Sequence, residues 1–144
     1  MRFLTATAFL ALCAWSAGAA DDPKEAAKKL EGTYEVVEVT IGGKPDPKKD
    51  EVKSVEIKDG QIIIKTKKDD PAKFTLDPSK KPGHIDISPG GNEKLPGIYE
   101  VKETDKGTEL TIAFSMADKA ERPKDFKGAG KEDVVLKLFR KKAK

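Results

Sequence analysis

The chain has 144 residues, 37% of them hydrophobic and 37% charged, which suits one domain with a modest core. Lys and Arg number 28 against 25 Asp and Glu, with signs that alternate along the chain, so the formal net charge of +3 argues against a strong single-sign field. One cysteine and one histidine exclude a disulfide framework and leave too few soft ligands for a zinc site.

The first twenty residues read as a secretory leader. Met1 and Arg2 start it, "FLTATAFLALCAWSA" is apolar but too short for a membrane span, and "AGAADD" places small residues before an acidic stretch. Cleavage after Ala20 or Ala19 is expected, giving a leader over residues 1–20 and one domain over 21–144. The rival, a lipid anchor on Cys13, is opposed by the bulky Leu12 before it and by the apolar run continuing past it. Cleavage would remove Cys13 and Trp15, the only cysteine and tryptophan. The product would be periplasmic, envelope-associated or extracellular, with no transmembrane segment.

"DDPKEAAKKLEG" then predicts a short helix, capped by Asp22, with Pro23 at its first position and Gly32 ending it. Strand-type segments follow at 33–41, 54–58, 61–66, 73–76, 84–88, 97–103, 109–116 and 134–141. A change of phase near Val36 and Val37 suggests a bulge, and Asp59 with Gly60 forms a strong two-residue hairpin turn. No convincing helix separates these eight strands, which predicts an all-β antiparallel sandwich or barrel. The first, third, fifth and seventh connections are mostly longer than the even-numbered ones. An up-and-down barrel accounts for that parity by gathering long loops at an open end and short turns, with the termini, at a tight one. A Greek-key sandwich gives no reason for it.

At the tight end, Val134, Leu136, Leu138 and Arg140 share one phase of the last strand, so Arg140 continues the buried stripe and needs a partner. Tyr34 starts the first strand, its neighbour in a closed barrel, and a contact between the two would seal the floor. "GTY" at residues 32–34 and the closing arginine resemble the lipocalin signature, a Gly-x-Trp opening and a final Arg, with Tyr34 departing from the Trp. The chain also resembles a planctomycete lipocalin-like domain of unknown function. "LEGTYEVV", "LDPSKKPGHIDI", "LPGIYEV", "ELTIAF", "ERPKDF" and "VVLKLFRK" carry that resemblance, in order, over nearly all of the chain after residue 20. It implies an eight-stranded lipocalin-like barrel, export, and a closure by Gly32, Tyr34 and Arg140. It implies no activity.

Catalytic constellations are not evident. His84 and Asp86 lie two apart on a strand whose other face holds Ile85 and Ile87, so the pair is read as a polar outer face open to solvent. Ser79 and Ser88 lie in or beside turns without a nucleophile elbow, and no loop has EF-hand spacing. Asp69 and Asp70 sit in a lysine-flanked turn and read as turn formers, as do the glycine pairs at 42–43 and 90–91. The aromatic residues fall on apolar phases rather than in basic patches, which argues against nucleic acid.

The longest loop carries "ERPKDF" at the predicted open end. If it is functional, Phe126 lies across the mouth and Arg122 and Lys124 meet polar ligand groups; if it is structural, Phe126 plugs the top of a filled barrel. The leading expectation is an exported monomeric binding module for a small apolar or amphipathic ligand, with no cofactor or metal. The alternative is an envelope structural or protein-interaction domain with a filled core. Near balance of charge in the open-end loops predicts affinity from apolar burial, with Phe126 as anchor and no preference for anions. The basic tail "FRKKAK" reads as solvated.

Overall fold

Helix α1 (Pro23–Leu30) forms because its first turn is satisfied from the side: the Asp22 carboxylate accepts the Lys24 N–H at 2.8 Å and Pro23 needs no partner. Glu25 in the first turn and Lys28 and Lys29 in the last complement the helix dipole. Ala26 and Leu30, four residues apart on one face, are buried. The helix ends at Leu30, earlier than expected, and Gly32 instead opens the first strand. The structure, a computed structural model, describes residues 22–90 and 92–142. The leader read at 1–20, with Cys13 and Trp15, and the last two residues of the basic tail lie outside them.

The strands are β1 (Gly32–Ile41), the two-residue β2 (Lys44–Pro45), β3 (Ser54–Lys58), β4 (Gln61–Lys65), β5 (Asp70–Asp77), β6 (Gly83–Ser88), β7 (Leu95–Glu103), β8 (Gly107–Ser115) and β9 (Asp133–Lys141). Every pairing is antiparallel. Sequential neighbours pair from β3 to β9, β1 pairs with β3, and β1 with β9 closes the ring. The result is a closed eight-stranded up-and-down barrel of lipocalin-like form with a short helix, and β2 as a small hairpin on β1. The bulge falls at Val37, where the β1–β9 register shifts between Val36 and Glu38 and the side chain is left 53% exposed. Asp59 (φ 51°) and Gly60 (φ 72°) take the left-handed pair of a tight hairpin turn.

Several strands begin earlier than the pattern suggests, and in β5 and β7 the added residues contain proline. β5 starts at Asp70, but residues 70–72 pair only with β4, since pairing with β6 begins at Lys73. Pro96 of β7 pairs with Asp86 of β6, whereas pairing with β8 begins at Gly97. Each proline thus occupies a one-sided edge, where a missing N–H breaks no ladder.

Inward residues from every barrel strand fill the interior. Tyr34, Ile57, Ile85, Leu110, Ile112 and Leu138 are each at most 1% exposed and belong to one apolar cluster, which Ala26 and Leu30 join from α1. The barrel axis is occupied by side chains rather than left as a ligand channel. A second cluster lies on the outer wall. Ile98, Ala113 and Val135 point outward from β7, β8 and β9, and Phe126 packs on them. The long loop over 116–132 therefore folds back against the wall, and Phe126 neither spans the mouth nor plugs the barrel.

Candidate ligand-binding site

The floor of the barrel is built around the end of α1. The last carbonyls of a helix have no partner within it, and two barrel side chains collect them here. The Tyr34 hydroxyl donates to the Leu30 carbonyl at 2.8 Å. Arg140 donates from Nη1 to the Glu31 carbonyl and from Nη2 to the Lys29 carbonyl at 3.3 Å. The same Nη2 reaches Thr108 Oγ1 at 3.2 Å, and that hydroxyl donates to Glu103 Oε2 at 2.9 Å. The guanidinium carbon stands 5.2 Å from the centre of the Tyr34 ring. Gly32 makes room for this packing: a Cβ there would lie 2.7 Å from Arg140 Cδ, and its φ of +144° disfavours any side chain. The structure thus brings Gly32, Tyr34 and Arg140 together at one place.

Burial pushes the Tyr34 phenol above its ordinary pKa; the Arg140 charge opposes this and Glu103 adds to it. With the folded pKa raised, the folded state holds its phenolic proton longer than the unfolded chain. Stability from this group is complete below about pH 10, the unfolded value, and is lost as pH rises toward the folded one. Denaturation series across that range should show stability falling with pH, with a smaller slope in Tyr34→Phe. An unchanged slope would remove Tyr34 as the source.

Beside the floor the barrel wall has a notch. Pairing between β6 and β7 stops at Gly83 and Tyr99, whereas pairing between β7 and β8 continues to Glu103 and Thr108. Residues 100–103 of β7 therefore have a neighbour on one side only. Gly83 matters here, because a Cβ would lie 2.5 Å from the Tyr99 ring; without one, the ring closes over the end of β6. The turn after β5 borders the notch. Ser79 hydrogen bonds hold the Asp77 carboxyl below its usual range, with smaller contributions from Lys80 and His84. The bond between Lys81 and Pro82 is cis.

A cleft of ≈ 770 Å³ opens at this notch. Ala26 and Leu30 of α1, Tyr99 and Val101 of β7, Pro82 and Phe126 form its apolar lining. Its rim carries Lys80 and Lys81 from the β5–β6 turn, Lys124 and Asp125 from the long loop, and Glu100 and Glu103 from β7. Val101, 39% exposed, offers apolar surface directly to it. The cleft lies at the end of the barrel that holds α1 and the short turns, whereas the expectation placed a site among the long loops. Its cause is the unequal length of β6 and β7, not loop length.

Of the three residues expected to meet a ligand, two border this cleft, while Arg122 and Lys124 together line another of ≈ 530 Å³ within the long loop. Phe126 and Lys124 line the cleft beside α1, from the outer wall rather than from a mouth. Arg122 does not. Its Nη1 donates to the carbonyls of Ile85 at 3.2 Å and Gly97 at 2.7 Å, which are a cross-strand pair, and its Nη2 pairs with Asp86 Oδ1 at 2.8 Å. Asp86 is therefore outward, as the strand alternation requires, and the loop covers it only in part, leaving its side chain 38% exposed. Asp69 is likewise engaged, accepting from Lys65 at 2.8 Å, and that bond is the main cause of the raised Lys65 pKa.

The sequence reading missed Lys80, Lys81 and Val101 as cleft residues. The available signal was the short "HIDIS" beside the longer "GIYEVKE", since unequal neighbours leave part of the longer strand unpaired. The chain matches no family model, no curated protein and no solved structure.

Proposed function

We propose that this protein is an exported, monomeric binding module, not an enzyme, that holds a small amphipathic ligand in the cleft beside α1. The observation that carries the reading is a cleft of ≈ 770 Å³ with an apolar lining in a barrel whose axis is already filled. That volume falls within the roughly 300–1,000 Å³ of small-molecule sites. Support for export comes from the sequence of residues 1–20, and support for kinship with the planctomycete lipocalin-like family from the six quoted segments.

The filled interior also favours a second reading, a structural or interaction domain that contacts a partner through its outer surface. One experiment separates the two. Native mass spectrometry of protein recovered from the producing cells should show a chain beginning near residue 21 with a small molecule attached. An environment-sensitive dye should brighten on the wild type and not on Val101→Asp, a change at a partly exposed position that places a charge in the apolar lining. If nothing co-purifies and the dye ignores the wild type, the structural reading replaces this one. A mass that retains residues 1–20 would overturn the export component.

A further inference from the structure

The rim of the cleft carries cations with few internal partners, while most of its carboxylates are already engaged. No hydrogen bond or ion pair engages Lys81 or Lys124 among the described residues, and Lys80 is felt only by the neighbouring Asp77. Opposite them, Glu103 accepts from Thr108, and Asp125 accepts the Lys127 N–H at 2.9 Å. Glu100 is the one carboxylate of the rim without such a bond. These bonds leave the carboxylates charged, but the lysines around the cleft, Lys29, Lys80, Lys81 and Lys124, outnumber them four to three, and they border an apolar floor made by Leu30, Val101 and Phe126.

Resting on the binding-module reading, we propose that the ligand is a single-chain amphiphile with a carboxylate head, its chain along Leu30, Val101 and Phe126 and its head between Lys81 and Lys124. Lysine ammonium groups are mobile point charges that pair with a carboxylate at little geometric cost. The features that favour phosphate are absent from the cleft. Both arginines of the described chain are engaged elsewhere, Arg122 on the β6–β7 seam and Arg140 on the floor, so no guanidinium fork is offered. Helix α1 turns Ala26 and Leu30 to the cleft, not its N-terminal amides. The free Glu100 also repels a dianion more strongly than a monoanion. Strand addition along the open edge of β7 is disfavoured by Glu100, Lys102 and Glu103, charges of the kind that guard exposed edges.

Displacement of the bound dye from the purified protein would measure dodecanoate, dodecyl phosphate, dodecanol and dodecyltrimethylammonium at one chain length. Dodecanoate is expected to bind roughly tenfold tighter than dodecanol, and the ammonium weakest, with the carboxylate advantage shrinking at high salt. The double variant Lys81→Gln with Lys124→Gln should abolish that advantage and leave dodecanol binding unchanged, while Glu100→Gln should increase it. All three exposed changes avoid the core, so loss of fold does not blur the result. Equal binding of all four probes, tighter binding of the phosphate, or an advantage that survives the double variant would overturn the carboxylate assignment and leave the binding module standing. Failure of every probe to displace the dye would overturn the single-chain amphiphile, and failure of the dye itself to bind would overturn the binding module.

Discussion

Replacing Arg140 with alanine should destabilise the protein by about 2–3 kcal/mol, the largest effect expected of any single side chain outside the apolar core. The estimate follows from what the guanidinium does. It supplies charge-assisted hydrogen bonds to two carbonyls at the end of α1, bonds Thr108, and lies over the Tyr34 ring. Removing it leaves the helix end short of donors and opens space beside Gly32. Arg140→Lys should recover only part of the loss, because one ammonium cannot reach the Lys29 and Glu31 carbonyls and Thr108 with the spread of a planar fork. Tyr34→Phe should cost less, about 1 kcal/mol, since it deletes a single bond to the Leu30 carbonyl and keeps the ring. Urea denaturation at neutral pH measures all three. An Arg140→Ala midpoint equal to the wild type would mean that α1 is held by Ala26 and Leu30 alone.

The barrel was legible because its evidence is local and repeated. Strict alternation, the Asp59 and Gly60 turn, and the phase change before Val37 each belong to a few adjacent residues, and the parity of connection lengths joins them into one topology. Arg140 was legible as a floor residue for the same reason, since it continues the inward phase of β9. What it bonds was not, because the carbonyls of Lys29 and Glu31 come from the end of a helix about 110 residues earlier. The cleft was not legible. Long loops suggested an open mouth, but the length of a loop does not fix the direction in which it folds. Phe126 is apolar enough to seek cover and found it on Ile98, Ala113 and Val135, outward residues whose buried character was visible only as small or branched side chains on a face otherwise read as polar. Once that loop lies along the wall, its lysine and phenylalanine border the notch instead of a mouth.

Arg122 is the fastener of that loop, and Arg122→Ala should release it at a cost of about 2 kcal/mol. Three bonds are lost together, and two of them end on the carbonyls of Ile85 and Gly97, a pair only two residues from the point where β6 and β7 part. The loop and the seam should therefore loosen as one. Hydrogen exchange should quicken at the amides of the loop and of the β6–β7 ladder, while β3 and β4, across the barrel, keep their protection. The ion pair with Asp86 is a minor part of this hold. Its side chains are 28% and 38% exposed, and a pair so open to water contributes about 0.5 kcal/mol. Asp86→Asn should accordingly leave exchange in the loop close to wild type, whereas Arg122→Lys, which keeps the charge and loses the fork, should behave more like the alanine variant. The same order should appear in dye binding, because Phe126 and Lys124 reach the cleft only while the loop stays on the wall. If Asp86→Asn frees the loop as fully as Arg122→Ala does, the ion pair rather than the carbonyl contacts holds it, and the seam has no part in shaping the cleft.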